Sequence, residues 1–438
     1  MKSKKMISGL LSAAAMAAVL GSVEAQEAPQ QQGNFDFGTT ATTIWSSNIA
    51  LAPTNLRQGT IGQLAIDLDY QESTRRLRTD LKINAAARHY FNGDFNDTLI
   101  GGLNGGLYLA IVPERFEWIV QDTFGQVLSN QFAAPTAGNL NNVNYLTTGP
   151  DLTFELGSAL SVLLSGRYAT TNYSRNGADN ERLTGAMSLI RNLNDASDLS
   201  LTAKSDQLEY SGVVGNSLIH RDEIALGYGL RSSRTSAQFE AGYAKVTYGA
   251  LDSATPVARI TLRRRVSAST AFRLQGGVEY SDSGIDFRDA QTLNGVRLDA
   301  TTIVPALDVY RREFVATGLE VSRPRTSFGV TAELRRESHV QYQILNRTDS
   351  TVRIYAGRRL GPTMEVQGDA EYRADRLSSS GSRSNRTTGT ARWLWRPNRA
   401  LTWNLEYTYR NNASPAGYAK YHEHQVAIAV RWTPTPKP

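Results

Sequence analysis

The sequence predicts an all-β protein: one transmembrane antiparallel β-barrel of about 16–20 strands, with 20 the best count, short periplasmic turns and longer external loops. Three observations predict it. The chain opens with an export signal. Behind the signal, runs of ~11 residues alternate apolar and polar side chains over and over, the length a tilted strand needs to cross a bilayer. Finally, no apolar run of about 18 residues follows the signal, so any crossing of a membrane falls to strands.

The elements follow in order. Lys2, Lys4 and Lys5 precede an apolar segment, and Val23-Glu24-Ala25 closes it with small residues, so 1–25 reads as a signal peptide cleaved after Ala25. No cysteine stands at the junction, which excludes a lipid anchor there. Residues 26–37 are a polar periplasmic lead-in, 38–432 the barrel, and 433–438 a tail. The first strand, expected over about 38–50, is Thr-rich and weakly patterned. From Leu64 the alternation is clean: Leu64, Ile66, Leu68 and Tyr70 on one face, Gln63, Ala65, Asp67 and Asp69 on the other. The same unit recurs to the end, as in Ile224, Leu226, Tyr228 and Leu230, or Met364, Val366, Ala370 and Tyr372. Short turns near Pro113, Ser158, Ser232, Pro324, Gly361 and Pro397 alternate with longer polar loops, of which 126–146 and 282–306 are expected outside or folded into the mouth. The last pair of runs, 401–410 and 425–432, ends on Trp432, similar to the aromatic-terminated strand that barrel-assembly machinery recognises. Trp395, Trp403 and Trp432 fall beside predicted periplasmic turns, where indoles sit well at a membrane–water boundary.

Composition narrows the function. With 47 Lys and Arg against 41 Asp and Glu, three of those Lys in the signal, the charge is too even to argue for nucleic acid. The absence of cysteine excludes disulfides and thiolate metal sites. The glycines of Gly101-Gly102-Leu103-Asn104-Gly105-Gly106 fall inside a strand pattern with no Lys-Ser/Thr after them, so they read as places where a barrel strand curves rather than as a phosphate cradle. His422 and His424 share a strand face but lack an evident third ligand. No Gly-x-Ser-x-Gly element marks a hydrolase. No metal, no cofactor and no enzymatic reaction are therefore expected.

The inward-facing charges carry more. Alternation points Arg78, Asp80 and Lys82, Arg259 and Arg263, Glu333 and Arg335, and Glu365, Asp369, Glu371 and Arg373 into the lumen. They form either a mutually paired, solvated wall or a pore lining that selects charged solutes; the second reading is favoured, because barrels of this size enclose a channel or a plugged lumen.

Two stretches carry a resemblance. One is Trp45-Ser46-Ser47-Asn48-Ile49-Ala50-Leu51-Ala52-Pro53. The other runs from Trp118 through Asp122, Phe124-Gly125-Gln126, Pro135-Thr136 and Asn139 to Asn144 and Thr147-Thr148-Gly149-Pro150. The chain resembles, mainly over residues 45–155, outer-membrane barrels encoded with exopolysaccharide synthesis and PEP-CTERM/exosortase clusters. The resemblance implies a surface-polysaccharide context and carries no catalytic residues. The expectation is thus a pore or accessory barrel for exopolysaccharide secretion or assembly in the bacterial outer membrane, with outer-membrane lipid, lipopolysaccharide, barrel-assembly machinery and polysaccharide export components as partners. An enzyme acting on lipid or polysaccharide and a structural or adhesive barrel are the alternatives.

Overall fold

A computed structural model describes residues 33–434 apart from 94, 131–132, 176–178, 212–217, 295–305 and 415–418. The predicted signal peptide and most of the lead-in lie outside the described residues. The chain forms β1 (Asn34–Ser46), β2 (Gly59–Ser73), β3 (Leu77–Tyr90), β4 (Thr98–Val112), β5 (Phe116–Leu128), β6 (Leu140–Glu155) and β7 (Leu160–Tyr173). Then come β8 (Asn180–Asn194), β9 (Ser197–Tyr210), β10 (Leu218–Arg231), β11 (Thr235–Tyr248), β12 (Leu251–Ser267) and β13 (Thr270–Asp282). After β13 comes the helix α1 (Ser283–Asn294), and then β14 (Val309–Ser322), β15 (Thr326–His339), β16 (Arg347–Arg359), β17 (Met364–Leu377), β18 (Arg383–Trp395), β19 (Leu401–Ala413) and β20 (Tyr421–Trp432).

Each strand pairs antiparallel with the next, and β1 pairs with β20 from Thr39↔Trp432 to Ser46↔Gln425, so the 20-stranded sheet closes on itself. Closure leaves no unpaired edge, the condition for backbone polar groups to exist in hydrocarbon. No helix among the described residues is long and apolar enough to cross a membrane. The outer face carries the apolar set: Leu64 and Ile66, Ile224 and Leu226, Val330 and Leu334, Ile354, Val366, Leu405 and Ile428 are all exposed there. An apolar belt this continuous on a closed barrel is covered by lipid, and the protein is an outer-membrane β-barrel in contact with the lipids of that membrane.

One end has short turns throughout, at 74–76, 113–115, 156–159, 195–196, 232–234, 268–269, 323–325, 360–363 and 396–400. The other end carries the longer connections, although 249–250 between β11 and β12 is as short as any turn below. Three expectations about boundaries change. β1 begins at Asn34, because Asn34–Gly38 pair with Asp67–Gln71 of β2, so 34–37 belong to the barrel rather than the lead-in. Of the stretch 126–146, residues 126–128 and 140–146 are strand, so the connection narrows to 129–139. And 282–306 is not plain loop, since it contains α1.

Candidate functional site

The site is built by register. Residues opposite one another on neighbouring antiparallel strands share a face, so an inward charge meets the inward residue of its partner. Leu334 is 51% exposed on the outside, and alternation puts Arg335 inside. The pairing places Arg335 opposite Asp349, Glu337 opposite Arg347, Glu279 opposite Arg312 and Glu240 opposite Arg259. These pairs link into one belt from β10 to β17. Arg259 bonds Glu223 at 2.6 Å and Glu240 at 3.1 Å, and also Glu279, which in turn accepts from Arg312. Arg335 reaches Glu337 at 3.2 Å and Asp349 at 3.1 Å; Arg347 bonds Glu337 at 2.6 Å; Arg373 bonds Asp375 at 2.8 Å and Asp349 at 3.4 Å.

The helix α1 locks into this belt. Asp286 accepts from Arg312 at 2.5 Å, Arg335 at 3.2 Å, Ser281 Oγ at 2.6 Å and Tyr310 Oη at 2.7 Å. Burial pushes the Asp286 carboxyl above the ordinary aspartate value, while Arg312 and Arg335 act against that rise. Phe287, completely buried, anchors the other side among Val127, Val143, Tyr145, Tyr173, Leu208, Tyr210, Ile219, Val246 and Val257. Asp282 caps the helix by accepting from the backbone N–H groups of Gly284 and Ile285 at 3.0 and 3.2 Å. Asp282 also accepts from Arg182, which bonds Asp206 at 3.2 Å; Asp206 takes Arg221 and Thr184 Oγ1 as well. A second buried ion cluster on β8–β10 thus holds the helix start.

The β5–β6 hairpin narrows the mouth further. Pairing between β4 and β5 stops at Leu103↔Phe124, while β5 and β6 stay paired to Leu128↔Leu140. The freed tip leans into the lumen. Its Leu140 packs on the inward residues Ala65, Ala86 and Ile100, and Ala137 of its loop packs on Ile49, Ile61 and Tyr90. Its opposite face gives Val127 and Val143 to the cluster around Phe287. Gln126 spans the gap, accepting from Gly101 N at 3.3 Å and donating to Asn142 at 3.1 Å. Ala137 and Leu140 therefore lie in the mouth, and at Gly101 a Cβ would stand 2.7 Å from the Asn84 carbonyl oxygen, so glycine there lets β4 approach β3 closely.

The lumen candidates divide into two groups. Arg259, Arg335 and Arg373 belong to the belt. Toward the periplasmic end, Arg78 lies over the Tyr108 ring at 4.1 Å and Glu365 bonds Arg396 at 3.0 Å and Gln367 at 2.8 Å. Asp80, Lys82, Arg263, Glu333, Asp369 and Glu371 have no ion pair among the described residues. Sequence reasoning missed Asp282, Asp286, Glu279, Arg312, Glu337, Arg347, Asp349, Arg182 and Asp206. For the strand residues among them alternation was the available signal; for Asp282 and Asp286 there was none. Trp395 stands directly opposite Trp403, and Trp432 lies opposite Leu401, all exposed on the outer face beside the short turns.

The residues that carried the resemblance prove to be stitching. Ser46 Oγ donates to Glu423 at 2.6 Å, and Asn48 Nδ2 donates to the carbonyls of His422 at 3.0 Å and Ala52 at 2.8 Å, sealing the β1–β20 closure at its external end. Trp118 Nε1 donates to Thr148 at 3.0 Å, and Asn144 donates to Asp122 at 2.9 Å, tying β5 to β6. At Gly149 a Cβ would stand 2.0 Å from the Gly166 carbonyl oxygen, and Pro150 sits where the β6–β7 ladder is interrupted. His89 bonds Asp97, His339 faces Asp308 at 3.5 Å, and His424 bonds Tyr407 at 2.7 Å; none of these contacts sets a base beside a serine or threonine hydroxyl. Among the described residues no His, Asp and Glu cluster could hold a metal ion.

Neither a family model nor a curated protein sequence matches the chain. Solved structures match over most of the barrel. They include the siderophore receptor PirA from Pseudomonas aeruginosa, 10% identical, covering 93% of this chain and 81% of that one at a TM-score of 0.45. The ferric enterobactin receptor PfeA is 8% identical over 92% and 82%, at 0.48. The iron transporter FrpB from Neisseria meningitidis is 8% identical over 91% and 82%, at 0.47. These three are receptors and transporters by title, and the expected role in exopolysaccharide secretion, with its export partners, is not borne out. The lumen gives the physical reason: an open conduit for a polymer is incompatible with a mouth narrowed by α1 and the β5–β6 tip. The enzymatic and adhesive alternatives find no match either.

Proposed function

We propose that the protein is a solute channel of the outer membrane that admits small polar molecules through a narrow, charge-lined constriction at its external mouth. The single observation that supports this most is the docking of Asp286 on Arg312 and Arg335, which holds a helix inside the lumen rather than above it. Below the constriction the wall is a vestibule lined by Asp80, Lys82, Arg263, Glu333, Asp369 and Glu371, groups that set the field felt by a permeating ion. No part of the proposal needs chemistry beyond binding and exclusion by size and charge. The terminal strand ending on Trp432 is proposed as the segment that the barrel-assembly machinery engages. Common descent with the barrels encoded beside exopolysaccharide clusters is likewise proposed on residues 45–155 alone, without their role, and gene neighbourhood tests it.

Liposome swelling with neutral, anionic and cationic solutes of graded size tests the channel. Swelling with small solutes and none with oligosaccharides is the expected pattern. If neither the wild type nor a chain with 283–305 replaced by a short Gly-Ser link passes any solute, the proposal fails.

A further inference from the structure

Just outside the apolar band, the outer face of β15–β18 is basic in a way that the fold does not explain. On β15 the outward series runs Phe328, Val330, Leu334 and then Arg336; on β17 it runs Met364, Val366, Tyr372 and then Arg376. Arg376 stands directly opposite Arg383 of β18, and on its other side faces Thr348 of β16, which is opposite Arg336. The level therefore reads Arg336, Thr348, Arg376, Arg383 across four adjacent strands. Two like charges opposite one another repel. Neither Arg376 nor Arg383 has an ion pair among the described residues. The acid opposite Arg336, Glu313, is shared by Arg311 at 2.6 Å and Arg336 at 4.0 Å. An arginine row that is unfavourable in the protein alone becomes favourable when an anion with several acceptor oxygens sits across it.

Its height selects the anion. The row lies on the lipid-facing side, one to two outward positions beyond Leu334, Val352 and Tyr372, and at the end with the long loops. A ligand there must place anionic groups at the boundary between acyl chains and external water. We propose that Arg336, Arg376 and Arg383 form a binding site for the phosphate groups of an outer-leaflet glycolipid, a lipid A-type phosphorylated, multiply acylated disaccharide. Its acyl chains lie along Leu334, Val352, Ile354 and Tyr372, and a phosphate bridges the guanidinium groups of Arg376 and Arg383. The site is independent of the lumen and of the solute that the channel passes.

Native mass spectrometry of the full chain in non-ionic detergent, mixed with bisphosphorylated lipid A, reads the bound fraction. The wild type is expected to retain one lipid, and R376Q/R383Q to weaken retention by about tenfold, with R358Q, outward-facing at the periplasmic end, unchanged. Lipid A stripped of its phosphates should bind the wild type as weakly as the double variant binds the intact lipid. That arm uses the unaltered protein and remains decisive if the variant fails to fold, which heat-modifiable migration on gels reports. Equal retention of intact and dephosphorylated lipid, or equal retention by a folded double variant, overturns the site. Inorganic phosphate that binds the wild type while lipid A does not overturns the lipid assignment.

Discussion

The two halves of the lumen are built from the same residue types and differ in how continuously their charges are paired, the periplasmic half having separate pairs such as Glu365–Arg396 and Glu406–Arg392. In the external half, Glu279, Arg312 and Arg335, half-buried, and Glu337, Arg347 and Asp349, buried, are paired in a continuous belt, with Asp286 of α1 as a shared acceptor. In the periplasmic half, Asp80, Lys82, Arg263, Glu333, Asp369 and Glu371 face the lumen without ion pairs among the described residues. The difference is one of neighbours. Where register sets opposite charges across from each other and α1 adds Asp286, the charges become structure; where it sets them beside uncharged neighbours, as Glu333 beside Ala316 and Thr351, they stay unpaired.

The comparison is broken most forcefully from above. Removing one partner of a buried pair leaves the other uncompensated, at about 3–5 kcal/mol. Glu337→Gln strips Arg347 and Arg335 of a carboxylate and should lower the free energy of unfolding, read from the guanidinium-induced loss of heat-modifiable migration, by that order. A loss below about 1 kcal/mol, the scale of an exposed pair, would mean that the belt is solvated like the lower wall.

Next in size is Val366→Arg on the lipid face of β17. A charge near the bilayer midplane costs about 2–4 kcal/mol, so folding into lipid vesicles should be impaired to that extent. Full tolerance would place Val366 at the interface, or inside.

How much of this is legible in the chain depends on whether a neighbour or a pattern decides. Alternation alone gives Leu334 outside and Arg335 inside, Val366 outside and Glu365 inside, and hence the strands, their faces and the closed barrel. It cannot say that Arg335 belongs to the belt while Glu333, one rung below, does not, because that depends on register, which sets Asp349 opposite Arg335 but Thr351 and Ala316 opposite Glu333. The helix α1 is the clearest omission. Ser283–Asn294 is polar on average, with Phe287 a fully buried apolar anchor, so no amphipathic stripe announces it. It persists through tertiary bonds from Asp286 and Asp282 to strands far away in sequence. The inward lean of the β5–β6 tip is hidden for the same reason: a strand that leaves its neighbour at Leu103↔Phe124 keeps its alternating pattern.

The smallest expected effect on stability comes from below. Asp369→Asn with Glu371→Gln removes two unpaired lumen charges and should change stability by less than about 0.5 kcal/mol, while shifting the reversal potential in a salt gradient toward anions. Glu365→Gln differs, since it releases Arg396 and Gln367, and should shift selectivity further for a single substitution. An unchanged reversal potential in the double variant would mean that these groups lie outside the permeation path.

Single-channel conductance in planar bilayers tests the central claim most directly, with Asp286→Ala set against Glu371→Gln. If the helix is held in the mouth by Asp286, the first substitution frees Arg312, Arg335 and Tyr310, loosens α1, and gives larger and noisier unitary currents than the wild type. The second should leave the current near the wild-type level while altering ion preference. Equal currents in the wild type and Asp286→Ala, with a marked drop in Glu371→Gln, would place the constriction in the periplasmic half and contradict the account.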